Sequence, residues 1–254
     1  MEAYSDFARV YDIFMDNVEY EKWAEYLIGS LKEYGIEDGI VLELGCGTGV
    51  MTELLAESGY DMIGVDNSEE MLGEAMEKRA ESGHEILYLE QDMREFELYG
   101  TVRAIVSVCD CMNYITEEED LLTVFKLVNN YLDPDGIFIF DMNTPYKHRE
   151  ILADNTFVYD LGDLFCVWQN TTDASLQTEI ALDFFLRSGA CYTRESERFC
   201  ERAYTHETLA KLLDQAGFDL CAVCEGDTFD PPGETAQRAV YIAKRRCGRA
   251  AAVN

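Results

Sequence analysis

Apolar positions recur at two different spacings along the first 145 residues, and the spacings alternate. Trp23, Leu27 and Leu31 fall four apart, which predicts a helix over Glu21–Leu31. Ile40–Leu44 is a short apolar run that stops at Gly45, and a short helical pattern follows over Met51–Ser58 until Gly59 ends it. Met62–Val65 predicts a second strand closing on Asp66. Ser68 can then cap a helix whose first turn carries Glu69 and Glu70, where the helix dipole favours acid. Ile86–Leu89 and Ala104–Cys109 predict a third and a fourth strand. Thr116 and Glu119 suit a capping box for a helix to about Leu132, with Leu121, Val124, Phe125 and Val128 on one face. Asp133–Gly136 reads as a turn before a fifth strand over Ile137–Phe140.

Strands alternating with helices predict an α/β fold, with a mostly parallel sheet covered on both faces. Right-handed crossovers then gather the loops after the strands along one edge, where ligands bind. At about Tyr146 the rhythm changes. Phe157–Trp168, Leu176–Leu186 and Cys191–Arg202 are β-rich runs with no helix between them, and Ile180, Leu182 and Phe184 make one face apolar. This predicts an antiparallel insert. A helix over Thr205–Ala216 and strands near Phe218–Cys224 and Arg238–Ala243 complete the sheet. From Lys244 the chain turns basic and then Ala-rich, as a frayed tail does. The expected division is 1–145 for an N-terminal lid and ligand-binding part, 146–204 for the insert, 205–246 for completion of the sheet and 247–254 for a disordered tail.

Charge narrows the partners. The 254 residues hold 50 Asp and Glu against 20 Lys and Arg, a formal net charge of -30. Such a surface repels phosphate backbones and anionic lipid, so neither nucleic acid nor membrane is the expected partner. A small molecule or a basic partner fits better, and a homodimer is left open. No secretory leader or spanning run is legible. The odd, scattered set of 9 cysteines suits a reducing, cytoplasmic compartment.

Three strand ends carry the chemistry. Glu43-Leu44-Gly45-Cys46-Gly47-Thr48-Gly49 places glycines where backbone must approach a ligand closely. A dinucleotide fingerprint needs a small residue at position 50, and Val50 stands there, which disfavours a nicotinamide-dependent oxidoreductase. Asp66, in Gly64-Val65-Asp66-Asn67-Ser68, can accept both hydroxyls of a ribose. Asp92, in Gln91-Asp92-Met93, can accept from an adenine amino group.

Together these segments resemble the cofactor motifs of class I S-adenosylmethionine-dependent methyltransferases, over roughly the first 145 residues. Tyr11–Met15, Tyr20–Trp23, Asp110–Tyr114 and Arg202–Tyr204 resemble segments of a bacterial branch that includes many members of unassigned substrate. The chain departs from that branch at Cys111 and Phe199, where Ser and His are common. The resemblance implies a Rossmann-like fold and S-adenosylmethionine as cofactor, with S-adenosylhomocysteine as product. It also implies roles. Glu43 would orient the loop and the ligand's ammonium; Gly45, Cys46 and Gly47 would meet the methionine moiety. Asp66 would hold the ribose, with Asn67 and Met71 beside the adenine. Asp92 and Met93 would fix the adenine edge. Cys109 and Asp110 would lie near the sulfonium, and Tyr11 and Trp23 would fold over the cofactor.

Methyl transfer by direct displacement needs a base only when the nucleophile arrives protonated. Asp110, Tyr114, Asp141 and Tyr204 are the candidates. Asn113, Arg202 and Tyr204 are the expected acceptor contacts, with the insert as the acceptor's lid. Cys221 and Cys224 lack a second ligand pair, and His84, His148 and His206 are scattered, so no metal site is expected. A non-catalytic module that binds the cofactor and acts through a protein partner is the alternative.

Overall fold

A computed structural model describes residues 8–15 and 18–246. Helices α1 (Ala8–Phe14) and α2 (Tyr20–Glu33) precede an alternating series: β1 (Ile40–Leu44), α3 (Val50–Glu57), β2 (Asp61–Asp66), α4 (Glu69–Ser82), β3 (Leu87–Glu90), β4 (Val102–Ser107), α5 (Glu118–Tyr131) and β5 (Leu132–Asn143). Four strands follow, β6 (Thr156–Asp160), β7 (Leu164–Thr172), β8 (Gln177–Ser188) and β9 (Cys191–Arg202), then α6 (His206–Gln215), β10 (Phe218–Glu225) and β11 (Arg238–Arg245).

The main sheet has seven strands in the order β10-β11-β5-β4-β1-β2-β3. Its five strands β1 to β5 run parallel, and β11 enters antiparallel between β10 and β5. Alternate residues feed opposite faces. Phe138, Phe140 and Tyr241 pack under α5 and α6, while Ile137, Ile139, Val240 and Ile242 pack under α2 and α3. Burying each such side chain contributes about 1.5–3 kcal/mol, so the two-faced burial of these strands fixes the sheet.

β6 to β9 form a separate antiparallel sheet. Its apolar face, with Ile180, Leu182 and Phe184, is covered by Ala8 of α1 and Met71 of α4. Phe14 of α1 meets Tyr159 and Phe184 edge-on, at 5.4 and 5.5 Å between centroids. The insert is thereby clamped over the edge where β1, β2 and β4 end.

Four local expectations are corrected. Phe157–Trp168 is two strands, because Gly162 (φ 85°) turns a hairpin whose alternation continues on both sides. Asp133–Gly136 lies inside β5 as a kink: Asp135 takes φ 69° and the register against β4 steps between Val102 and Ala104. Thr116 does not cap α5. Glu117 holds the cap position without a side-chain bond, while the carbonyls of Ile115 and Thr116 are engaged by Tyr204 and Arg202. Lys244 and Arg245 belong to β11, where pairing with β5 and β10 holds them. Residues 247–254, expected as a tail, lie outside the described residues.

Candidate active site

The first strand ends in a tight loop held by its own backbone. The amides of Gly45 and Cys46 both donate to the carbonyl of Val65, at 2.8 and 3.0 Å. Gly49 (φ 77°) caps α3, and a methyl group placed on it would meet the Tyr88 hydroxyl at 2.5 Å. On Gly45 it would meet the Cys111 sulfur at 2.7 Å. These glycines are therefore steric requirements of the loop. At Gly47 (φ 51°) there is open space instead, which leaves room for a ligand.

Asp66 ties the second strand end to the loop. One carboxylate oxygen accepts from the Gly47 amide at 2.8 Å and the other from the Ser68 amide at 3.0 Å. A carboxylate has about four lone-pair positions, so these amides leave capacity for a hydroxyl donor. Burial raises its pKa. Glu43 lies beneath, buried, accepting from the Thr52 hydroxyl. Burial pushes its carboxyl up to about 8. Asp92 is chelated by Arg94, whose Nε donates at 2.9 Å, and this hydrogen bonding holds the Asp92 carboxyl below its ordinary range. Helix α1 closes over the loop through Asp12, which accepts from the Thr48 hydroxyl at 2.6 Å and pairs with Lys78 at 2.6 Å.

A cleft of about 470 Å³ runs along this edge. Of the residues expected at the cofactor, Tyr11, Gly45, Gly47, Asp66, Asn67, Met71, Asp92, Met93 and Cys109 line it. Glu43 and Cys46 line a smaller cavity of about 30 Å³ that adjoins it, together with Tyr11 and Cys109. Trp23 is buried one layer away, its ring 6.2 Å from that of Tyr26.

The expected base and acceptor residues are divided. Tyr114 lines the cleft, its ring stacked on Phe199 of β9 at 5.0 Å. Asp141, Asn113, Arg202 and Tyr204 are absent from its walls. The Tyr204 hydroxyl donates to the Ile115 carbonyl at 2.5 Å. Asn113 donates to the carbonyls of Asn143 and Arg202 and accepts from the Asn143 amide at 2.8 Å. Asp110 sits behind Cys109 in a polar network: Arg238 donates to it at 2.7 Å and Asn143 at 3.0 Å, while its own amide donates to Asp141 at 3.0 Å. Burial works to raise the Asp110 carboxyl, but Arg238 and Lys147 outweigh it and hold the group low.

The network continues into the insert. Asn143 also reaches Glu201 of β9 at 3.3 Å. Glu201 and His148 approach to 4.0 Å, and burial disfavours the charged form of each. Burial pushes His148 down to about 4 and Glu201 up to about 8.

Several residues at the site carried no assigned role in the sequence: Tyr20, Arg94, Cys111, Phe199 and Arg238. Arg238 had a topological signal. An antiparallel last strand must begin at the edge where the parallel strands end, so its first side chain is delivered to the site.

Fold and site together define a class I, Rossmann-like methyltransferase. Residues 41–136 match the family model of a methyltransferase domain. A Bacillus subtilis (strain 168) protein named methyltransferase YqeM is 34% identical over 244 residues, spanning 95% of this chain and 97% of that one. The crystal structure of an S-adenosylmethionine-dependent methyltransferase from Clostridium acetobutylicum ATCC 824 is similar at a TM-score of 0.89 and 32% identity, over 96% of this chain and 99% of that chain. The sugar N-methyltransferase KedS8 from Streptoalloteichus sp ATCC 53650 shares the fold at a TM-score of 0.78 and 18% identity, over 93% of each chain. The chain belongs to the S-adenosylmethionine-dependent methyltransferases, and S-adenosylmethionine is its cofactor. The residues present fit that group: a glycine loop with open space at Gly47, a pinned carboxylate at Asp66 and aromatic rings at Tyr11 and Tyr114.

Proposed function

We propose that the chain transfers the methyl group to a nitrogen, oxygen or sulfur nucleophile of a small-molecule acceptor, bound between the sheet edge and the insert. One observation carries this reading. Phe199, from the insert, lines the same cleft as the glycine loop, Asp66 and Met93. Residues 146–204 thus act as the acceptor's lid, and residues 1–145 hold the cofactor. The surface charge of -30 favours a small molecule over a nucleic acid. The likeness to KedS8 carries the fold and not the acceptor.

Bound S-adenosylmethionine supplies an activated methyl group on a sulfonium. Glu43, Gly45, Cys46 and Gly47 would hold its methionine end, Asp66 its ribose, and Asn67, Met71, Asp92 and Met93 its adenine. Cys109 and Tyr11 enclose the methyl end, where an aromatic face attracts a cation. Trp23 supports them from behind. Among the four candidate bases, Tyr114 is the one on the cleft wall; Asp110, Asp141 and Tyr204 act through hydrogen bonds that fix that wall. The chain's main contribution is to position two reactants and exclude water.

The test pairs calorimetry against S-adenosylmethionine, S-adenosylhomocysteine and NAD with S-adenosylhomocysteine formation over a panel of amines, alcohols and thiols. Binding of the first two ligands and turnover with a small acceptor are expected. Turnover only with a protein or nucleic-acid acceptor would overturn the acceptor reading.

A further inference from the structure

Two consecutive residues after β4, Cys109 (φ 60°) and Asp110 (φ 58°), hold left-handed backbone that side chains other than glycine seldom adopt. Such a conformation persists only where surrounding structure over-determines it. Here the determinant is an ionic cluster in which Asp141 is buried and Asp110 and Arg238 are partly exposed. Arg238, the first residue of β11, donates to Asp141 of β5 and, at 2.7 Å, to Asp110. Asp141 accepts the Asp110 amide, and the Trp23 ring lies 5.8 Å from the guanidinium. The other charged groups facing the cluster are Lys147, which donates to Asn143 at 2.9 Å, and Glu201, which Asn143 contacts in turn. Cys109 lines the cleft directly in front of this cluster, and the charges of Asp141 and Arg238 act on its thiol.

The two ligands of this enzyme differ by one unit charge at one atom: the cofactor's sulfur is cationic and the product's is neutral. A charge set behind the wall at the methyl end therefore acts on one ligand and not on the other. We infer that the Arg238–Asp110–Asp141 cluster is a specificity-determining element that sets the balance between S-adenosylmethionine and S-adenosylhomocysteine. The inference rests on the placement of the methyl end at Cys109 proposed above. Arg238 limits how strongly the two carboxylates hold the cation. Without it the site would favour the cofactor further. Without one carboxylate the site would favour the product.

The experiment measures the ratio Kd(S-adenosylhomocysteine)/Kd(S-adenosylmethionine) by calorimetry at about pH 8.5, far above the ordinary carboxylate range. Arg238→Met should raise the ratio on the order of tenfold, the effect of one unit charge at moderate effective dielectric. Asp141→Asn should lower it by a similar factor, and Arg238→Lys, which keeps the charge, should leave it within about twofold of the wild type. A structural role would weaken both ligands alike and leave every ratio unchanged. Circular dichroism checks folding. If Arg238→Met does not fold, the fall in Asp141→Asn carries the test. Unchanged ratios, or shifts of the same sign in both variants, overturn the inference while leaving the enzyme's class intact. Failure of either ligand to bind the wild type would refute the cofactor placement and the inference with it.

Discussion

Gly49→Ala separates steric need from ligand contact at the glycine loop. Gly49 is left-handed (φ 77°), and its added methyl would lie 2.5 Å from the Tyr88 hydroxyl and 2.9 Å from the Ala75 methyl. The left-handed conformation costs a residue with a β-carbon about 1–2 kcal/mol. Crowding in a packed interior costs about 1–3 kcal/mol more, so the sum is about 2–5 kcal/mol. Gly59 provides an internal reference, since it is also left-handed (φ 96°) but has nothing within 4 Å of the same position. Gly59→Ala should show the backbone cost alone. Urea unfolding of both variants, without cofactor, measures the difference as a shift in midpoint at constant m. Adding Tyr88→Phe to Gly49→Ala removes the nearest atom and should return about 1 kcal/mol of the crowding cost. If Gly49→Ala is no less stable than Gly59→Ala, Tyr88 does not crowd the loop. The glycine would then be needed for the ligand alone.

Other substitutions probe the rest of the site. Asp66→Ala should weaken S-adenosylmethionine by about 10–100-fold, on the order of 1.5–3 kcal/mol, with the fold retained; unchanged affinity in calorimetry would reduce Asp66 to a loop brace for Gly47 and Ser68. Tyr204→Phe leaves the buried Ile115 carbonyl without its donor and should cost about 1–2 kcal/mol of stability in urea unfolding, and a variant as stable as the wild type would show that this hydrogen bond holds nothing. Glu43 carries a pH signature. Its carboxyl is raised by burial to about 8 from an ordinary 4.5, so the native state keeps a proton that the unfolded chain has released. That stabilisation is complete below the unfolded value and is lost as pH rises through the folded one. Between about pH 6 and about pH 7.5 the cofactor-free wild type should lose about 1.4 kcal/mol per pH unit relative to Glu43→Gln. Parallel stability curves would mean that Glu43 is ionised in the native protein.

The alternation of helix and strand spacings was enough to place the five parallel strands and the edge where ligands bind, because burial on both faces leaves near-continuous apolar runs such as Ile137–Phe140. The cofactor motifs were legible for the same reason: each follows a strand end directly, so sequence distance and spatial distance nearly coincide. Legibility failed where contacts join distant segments. Thr116 and Glu119 have the spacing of a capping box, but Arg202 and Tyr204, some 86 and 89 positions away, compete for that stretch of backbone. The hairpin at Gly162 was hidden because period-two alternation does not change when a strand reverses. Arg238 carries no local mark at all. Its importance comes from pairing with Asn143 across an antiparallel register.

Asn113, Arg202 and Tyr204 were expected to touch the acceptor; the structure places them off the cleft wall, in hydrogen bonds to backbone. Each engages backbone: Asn113 bridges Asn143 and Arg202, Arg202 reaches Thr116 at 2.8 Å, and Tyr204 reaches Ile115. Between those anchor points lie Tyr114 and Ile115, which line the cleft, and three residues before Arg202 lies Phe199, which stacks on Tyr114. The end of β9 is thus bolted to the segment after β4, and the bolt sets the height of the aromatic wall above the cofactor loop. A buried donor or acceptor that loses its partner costs more than the hydrogen bond contributed, so these residues have little freedom to vary. Tyr114, Cys111 and Phe199 face the cleft, where the Cys111 thiol donates to the Gly45 carbonyl at 3.2 Å. If the acceptor enters this cleft, as proposed, the wall residues meet it, and the motif at Arg202–Tyr204 holds that wall in place.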